Sequence, residues 1–300
     1  MKLGIIGLKN FDNGHPFSFS AIINGYNEKE FKKTKYKGIL KYLKLKPKKY
    51  FGINDVKITH AWTQDEKITK SLCAACKIKY AVKNYEDMIG KIDALIIARD
   101  DMHFSISKLF LKSGVPVFID KPLTSKVSEL NFFKKYLRLG MLMSTSGLRF
   151  ANETKYLKKK IKEIGKIKIV TASVVNDFFK YGIHMLDILD ELNILKVNKI
   201  TRNKKNVDMI TFFCKANILI NLICLGTVKK VFNIHIIGEK KSVKIDFEDN
   251  FIAFRNTLKT FVRMVELKKP IIDPERTLNV INLLITTMKL KNDKIQRFKR

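Results

Sequence analysis

Through the first 122 residues, apolar runs of strand length alternate with amphipathic stretches of helix length. Residues 3–8 read as a strand and 17–26 as a short helix behind a turn-rich loop. A lysine-rich excursion runs to Asn54. Residues 56–63 then read as a strand, 66–76 as a helix, 78–82 as a short strand and 85–89 as a short helix opened by Asn84. Residues 94–98 form the next strand, 103–113 a helix closed by Gly114, and 115–119 a further strand. The last of these strands is apolar on both sides of the pleat, as a strand covered on both faces of a parallel sheet is. Strands interleaved with helices of this size imply right-handed crossovers and a doubly wound parallel sheet.

After Pro122 the pattern changes. Residues 125–139 predict a helix, with Ser125 as N-cap, Glu129 in its early turns and Gly140 past its end. A strand at 141–146, a helix at 153–164, a strand at 166–175 and a helix at 184–192 follow. Strand-like segments then come in succession at 200–201, 209–214, 218–224, 231–238 and 242–246, before helices at 251–266 and 275–289. Runs of strands beside helices suggest an open, mainly antiparallel sheet with helices on one face. The expected class is α/β, with the parallel sheet in residues 1–122 and an α+β domain in residues 123–300.

Composition narrows this without changing it. A chain of 300 residues can hold two domain cores, and a hydrophobic fraction of 46% argues against global disorder. No apolar run reaches bilayer length; the best, 218–225, is strand-sized and contains Asn221. Lys2 leads straight into a strand with no signal-type segment, so a cytoplasmic location and free thiols are expected. Cys73 and Cys76 lie inside an amphipathic helix, where core packing is favoured over redox chemistry, and no Cys or His spacing suggests a metal site. The net charge of +31 is mostly lysine spread over nearly every segment, densest at 32–49 and 289–300. Arginine is scarce beside it and aromatics do not alternate with the basic runs, so it reads as solvated surface charge rather than a specific nucleic-acid site. Its field favours anionic ligands.

Candidate chemistry begins at Val115-Pro116-Val117-Phe118-Ile119-Asp120-Lys121-Pro122-Leu123, where a buried strand ends in an acid, a lysine and a proline. Ligands of open parallel sheets collect outside the carboxyl ends of strands, where Lys121 would sit. With Leu3-Gly4-Ile5-Ile6-Gly7, Asp93-Ala94-Leu95-Ile96-Ile97-Ala98, Arg149-Phe150, Gly182-Ile183-His184-Met185-Leu186-Asp187 and Lys268-Lys269-Pro270-Ile271-Ile272, this order resembles the Gfo/Idh/MocA oxidoreductases over nearly the whole chain. That family includes glucose–fructose oxidoreductase and inositol dehydrogenases. A narrower set is Gly14-His15-Pro16-Phe17-Ser18, Asn24-Gly25-Tyr26, Trp62-Thr63-Gln64-Asp65 and Ala98-Arg99-Asp100-Asp101. It resembles a branch found with surface-polysaccharide biosynthesis genes. The resemblance implies a Rossmann-type first domain, an NAD or NADP cofactor, a sugar-type substrate and a homo-oligomer.

At the cofactor end, Gly7 fits the first position of a dinucleotide-binding glycine motif, but the second falls on Lys9 and the third is missing. Gly14, Ser18 and the start of the first helix are the remaining phosphate candidates, helped by Lys9; the alternative is a solvated turn. Thr63 or Asp65 stands where the ribose is read, and the choice between NAD and NADP stays open. Ala98, Arg99, Asp100 and His103 follow a central strand that lines the nicotinamide side in the family, with Asp120 beside Lys121. Arg99 and Asp100 instead pair with each other in the blander reading.

At the chemistry end, hydride transfer from a secondary alcohol needs a base for the hydroxyl proton and a cation for the developing oxyanion. His184 suits the first task and Lys121 the second. Asp187, three residues on along the same helix face, either orients the imidazole or binds substrate. Many family members carry an Asp four residues before this histidine, where Lys180 stands here. Lys180 either binds an anionic substrate group or weakens catalysis, leaving a nucleotide- or sugar-binding protein of the same fold. Arg149 and Tyr181 are further substrate-side candidates.

Overall fold

A computed structural model describes residues 1–11, 13–291 and 294–298. Asp12 of the first turn and Asn292, Asp293, Lys299 and Arg300 of the basic tail lie outside the described residues. The chain divides into two compact units. One comprises Met1–Thr124, Asn131–Ser144 and Phe254–Pro274; the other Ser125–Leu130, Thr145–Ala253 and Glu275–Arg300. The expectation of a single border at Pro122 meets a chain that returns to its first unit twice.

The first unit carries strands β1 (Lys2–Leu8), β2 (Lys57–Thr63), β3 (Tyr80–Ala81), β4 (Ala94–Arg99), β5 (Val117–Asp120) and β6 (Leu142–Thr145). They lie in the order β3-β2-β1-β4-β5-β6, and β1 pairs parallel with both β2 and β4. Every residue of β4 and β5 is buried, which is why neither shows alternation in the sequence. The order reverses between β1 and β4, and Leu8 stands opposite Arg99 at the carboxyl edge of that crevice. Crossovers are made by α1 (His15–Asn24), α4 (Glu66–Cys76) and α5 (His103–Lys112). Gly7 is needed where α1 meets β1, because a Cβ there would lie 2.5 Å from Pro16 Cγ.

The lysine-rich excursion is not loop. It folds as α2 (Glu28–Lys33) and α3 (Lys37–Lys44), with Phe31, Leu40 and Leu43 buried on one side of lysine-covered turns. Asn27 caps α2 by accepting from Glu30 N–H. Helix α6 (Val127–Arg138) begins two residues after the expected cap Ser125. Its exit uses Gly140 at φ 67°, where a Cβ would strike the Lys269 backbone at 2.5 Å. Cys76 is buried in α4 and donates to Phe17 O, so it packs as core, while burial pushes the half-buried Cys73 thiol up to about 12.

In the second unit, α7 (Asn152–Lys160), β7 (Ile167–Val174) and α8 (Ile183–Glu191) precede β8 (Val197–Lys204), β9 (Asp208–Cys214), β10 (Leu219–Cys224), β11 (Phe232–Gly238) and β12 (Ser242–Asp246). Helices α9 (Asn250–Leu267) and α10 (Pro274–Lys289) and strand β13 (Ile295–Arg297) follow. The sheet runs β12-β11-β7-β10-β9-β8-β13 and is antiparallel except where β10 meets β7. One face is buried through Val170, Ala172, Ile210, Phe212, Ile220 and Leu222, whereas Met209, Phe213 and Ile237 of the other are exposed. Among the described residues no helix is long and apolar enough to cross a membrane.

Candidate active site

In the first unit the residues named for the cofactor gather at the carboxyl edge of the sheet, but most spend their polar groups on one another. After β1, Leu8 and Lys9 both take φ 78° and carry the chain into the turn. The Lys9 N–H donates to Gln64 Oε1 at 3.2 Å, and Gln64 Nε2 donates back to Lys9 O at 2.9 Å. Asn10 and Asn13 donate their side-chain amides to the two oxygens of Asp100, at 2.8 and 3.0 Å. At the start of α1, His15 N–H is taken by Asn13 Oδ1, Pro16 has no N–H, and Ser18 N–H bonds Gly14 O. The helix end therefore offers few donors for a phosphate.

Helix α3 covers what the sequence offered as phosphate candidates. The space a Gly14 Cβ would occupy is filled by Ile39, and Ser18, almost fully buried, hydrogen-bonds the Tyr42 hydroxyl. Tyr36 donates to Phe11 O at 2.8 Å and pins the turn from the same side. The ribose candidates are also engaged. Thr63 donates to Asp65 O at 2.7 Å and lies 2.8 Å from Thr69 Oγ1, while Asp65 caps α4 through Ile68 N–H.

Arg99 does not pair with Asp100. Its Nε donates to Asp101 Oδ1 at 2.6 Å, Lys9 Nζ lies 3.6 Å from the other Asp101 oxygen, and the guanidinium sits 5.5 Å from the Trp62 ring centre. Arg99 is almost fully buried, and its Nη1 has no hydrogen-bond partner among the described residues. Ala98 is buried one residue before it. Further along the edge, His15 Nδ1 is 2.6 Å from Asp120 Oδ2. His103 places its ring between Arg99 O (2.6 Å) and Pro122 O (3.0 Å), tying the end of β4 to the segment after β5. Lys121 is half-buried between these anchors and precedes a cis proline bond.

In the second unit His184 sits in the first turn of α8, behind a single π-type turn over Phe178–Gly182 that Asp177 caps through Lys180 N–H. Gly182 makes room for the Phe178 ring, which lies 2.5 Å from where a Cβ would be. Ser146 Oγ meets His184 Nδ1 at 2.6 Å and also accepts Leu148 N–H. Tyr181 and Phe232 flank the imidazole, with ring centres 6.0 and 5.5 Å away. Asp187 does not hold the imidazole. Its carboxylate accepts from Ser146 N–H at 2.6 Å, Thr145 Oγ1 at 3.2 Å and Arg149 Nη2 at 2.7 Å. Orientation of the ring passes to Ser146, which sequence reasoning missed because a lone serine after a strand carries no signature.

Arg149 lies at the centre of a buried ion cluster with Asp187, Asp190 and Glu191. Burial works against its charge, but the two aspartates outweigh that and hold its pKa above the usual arginine value. Burial raises Asp190 beyond what Arg149 and Arg276 take back, whereas Lys158 and Arg149 outweigh burial and lower Glu191. Arg149 thus braces the Ser146 segment against α8. Lys180 and Tyr181 are half-buried in the turn before His184. Among the described residues no His, Cys, Asp and Glu grouping could hold a metal ion.

Residues 37–139 match the family model described as "Oxidoreductase family, NAD-binding Rossmann fold", a match that begins after the turn and α1. No curated protein sequence matches the chain. Among solved structures, myo-inositol 2-dehydrogenase from Lactobacillus plantarum is similar with a TM-score of 0.77 at 15% identity, over 100% of this chain and 99% of that one. Scyllo-inositol dehydrogenase from Lactobacillus casei, with bound NAD(H) and scyllo-inositol, gives 0.77 at 13% identity over 99% and 98%. A dehydrogenase (MviM) from Clostridium difficile gives 0.71 at 17% over 96% and 98%. At these identities the likeness establishes the fold. Residues 37–139 thus match the model of an oxidoreductase family with an NAD-binding Rossmann fold, and along its whole length the chain shares the fold of these dehydrogenases.

Proposed function

We propose that the protein is an NAD(P)-dependent dehydrogenase or reductase acting at a hydroxyl or keto carbon of a sugar or sugar derivative, in carbohydrate or surface-polysaccharide metabolism. The observation that carries this reading is the Ser146–His184 bond: with Nδ1 engaged at 2.6 Å, proton exchange with a substrate hydroxyl falls to Nε2. Ser146 both donates and accepts, so it accommodates the ring before and after the proton moves. Lys121 follows the strand end where open parallel sheets collect ligands and would steady the substrate oxygen as its charge develops. A bound nicotinamide supplies the hydride acceptor or donor. Lys180 and Tyr181, just before His184, are proposed to meet the substrate, Lys180 through an anionic group.

The similar L. casei structure contains NAD(H) and scyllo-inositol, which makes polyols the first compounds to assay, followed by uronic and amino sugars. We place the protein in the cytoplasm as a homo-oligomer, with the exposed apolar face of β9 and β11 as the contact. The rival is a binding protein of this fold without turnover, favoured by the self-bonded first turn. Thermal-shift titration with NAD(H) and NADP(H), then nicotinamide absorbance across the sugar panel, separates the two. Turnover that disappears in Lys121→Ala and His184→Ala supports the dehydrogenase. Cofactor binding without turnover supports the rival, and no shift with any of the four nucleotides defeats the dehydrogenase.

A further inference from the structure

An arginine brought into a protein interior ordinarily has its N–H groups matched, because an unmatched buried donor forfeits the hydrogen bond it made with water. Arg99 departs from this. Asp101 takes Nε at 2.6 Å and Trp62 covers the cation, but Nη1 is buried without a partner among the described residues. Once Nε is used, the Nη1/Nη2 edge is a two-pronged donor of the shape that receives a phosphate or carboxylate. It stands at the carboxyl end of β4, opposite Leu8, at the place where the strand order reverses. Around it, several of the backbone donors that a glycine-rich turn would present are spent. Lys9 N–H goes to Gln64, His15 N–H to Asn13, and Ser18 N–H to Gly14. Lys9, 57% exposed and 3.6 Å from Asp101, adds a second cation, balancing Asp101 so that Arg99 is not neutralised by it alone.

The geometry points to Arg99 as the diphosphate anchor of the nucleotide crevice, doing with a side-chain fork what the missing glycines would do with backbone amides. The ligand class is a nucleotide bearing a diphosphate, as in the adenosine diphosphate half of a dinucleotide. This rests on the proposed cofactor-dependent function but concerns binding, not turnover.

Trp62 is the single tryptophan of the chain, and its ring centre is 5.5 Å from the Arg99 guanidinium, so its emission reports on the fork directly. Full-length protein is titrated with NADH, ADP, inorganic diphosphate and AMP while Trp62 emission and melting temperature are followed. NADH and ADP should change the emission saturably, diphosphate should compete with them, and AMP should bind at least about tenfold more weakly. Arg99→Met should weaken NADH and ADP by roughly ten- to a hundredfold. Arg99→Lys, which keeps the charge but loses the fork, should weaken them in the same direction and serves if Arg99→Met fails to fold. Unchanged affinity for NADH and ADP in both variants, equal affinity for AMP and ADP, or no response to any ligand overturns the proposal. If NADH binds and turns over equally well without the arginine, the anchor fails while the dehydrogenase reading stands. If ADP and diphosphate bind through Arg99 but no sugar is oxidised or reduced, the anchor stands and the dehydrogenase reading fails.

Discussion

The turn after β1 and the segment around His184 are both dense in polar contacts, yet they are built from opposite materials. The turn is stitched by side-chain amides at the surface, Gln64 to Lys9 and Asn10 with Asn13 to Asp100. The His184 segment is set by buried charge, with Asp187 and Arg149 locking Ser146 beside the imidazole. Exposed contacts exchange readily with water and contribute little each, whereas a buried pair stripped of one partner leaves an uncompensated charge. The turn can therefore rearrange around a ligand, and the histidine cannot wander. The molecule holds its proposed acid–base group rigid and leaves the nucleotide edge adaptable.

The contrast breaks most sharply at the two ends of the buried cluster. His184→Ala should lower kcat on whichever sugar proves to be the substrate by about 10²–10⁴-fold, with the urea midpoint scarcely moved. Arg149→Met should do the reverse to stability. Stranding Asp187 and Asp190 in the interior costs about 3–5 kcal/mol, read as a fall in the urea midpoint without change of slope. A loss below about 1 kcal/mol would mean that the cluster is solvated and that the rigidity argument is wrong.

Smaller effects sharpen the same comparison. Ser146→Ala should leave His184 in place but unrestrained, reducing kcat roughly tenfold more than KM changes, at a stability cost of about 1 kcal/mol. At the turn, Asp100→Ala removes the acceptor of both asparagines and should cost under about 1 kcal/mol. Its signature is hydrogen exchange: the amides of Lys9 and Asn13 should lose protection while those of α8 keep theirs. Equal protection in both regions would erase the distinction between them.

How much of this was legible beforehand follows the same division. The parallel half could be read because β4 and β5 are apolar on both faces, and the second half because its strands alternate. The excursion before Asn54 hid α2 and α3, since each buries only one or two side chains under a coat of lysine. Lys121 and His184 stood out through their motifs. Ser146, Gln64 and the orphaned Nη1 of Arg99 did not, because their importance lies in partners distant in sequence or in a partner that is missing. Arg149 was visible as a substrate-side candidate, but a sequence shows an arginine, not the three carboxylates that surround it.

The smallest effect lies in the pH dependence of two adjacent carboxylates. Burial raises the folded-state pKa of Asp190, so the folded chain holds a proton there that the unfolded chain has released. Its contribution is present below the unfolded value and declines as pH rises through the folded one. Glu191 has the opposite sign: burial opposes its charge, but Lys158, at 2.5 Å, and Arg149 lower its pKa below the ordinary carboxylate value. Its stabilisation is complete above that value and disappears as pH falls through the depressed one. Both substitutions keep the shape of the side chain, so urea melts of Asp190→Asn and Glu191→Gln across the carboxylate range isolate the two slopes. The Glu191→Gln deficit should grow as pH rises through that range, by no more than about 1 kcal/mol for so partly exposed a group. Relative to the wild type, Asp190→Asn should become more favourable as pH rises. Parallel curves for the two variants would mean that solvent reaches both carboxylates alike, and the distinction between a buried-charge site and a surface-stitched turn would lose its electrostatic half.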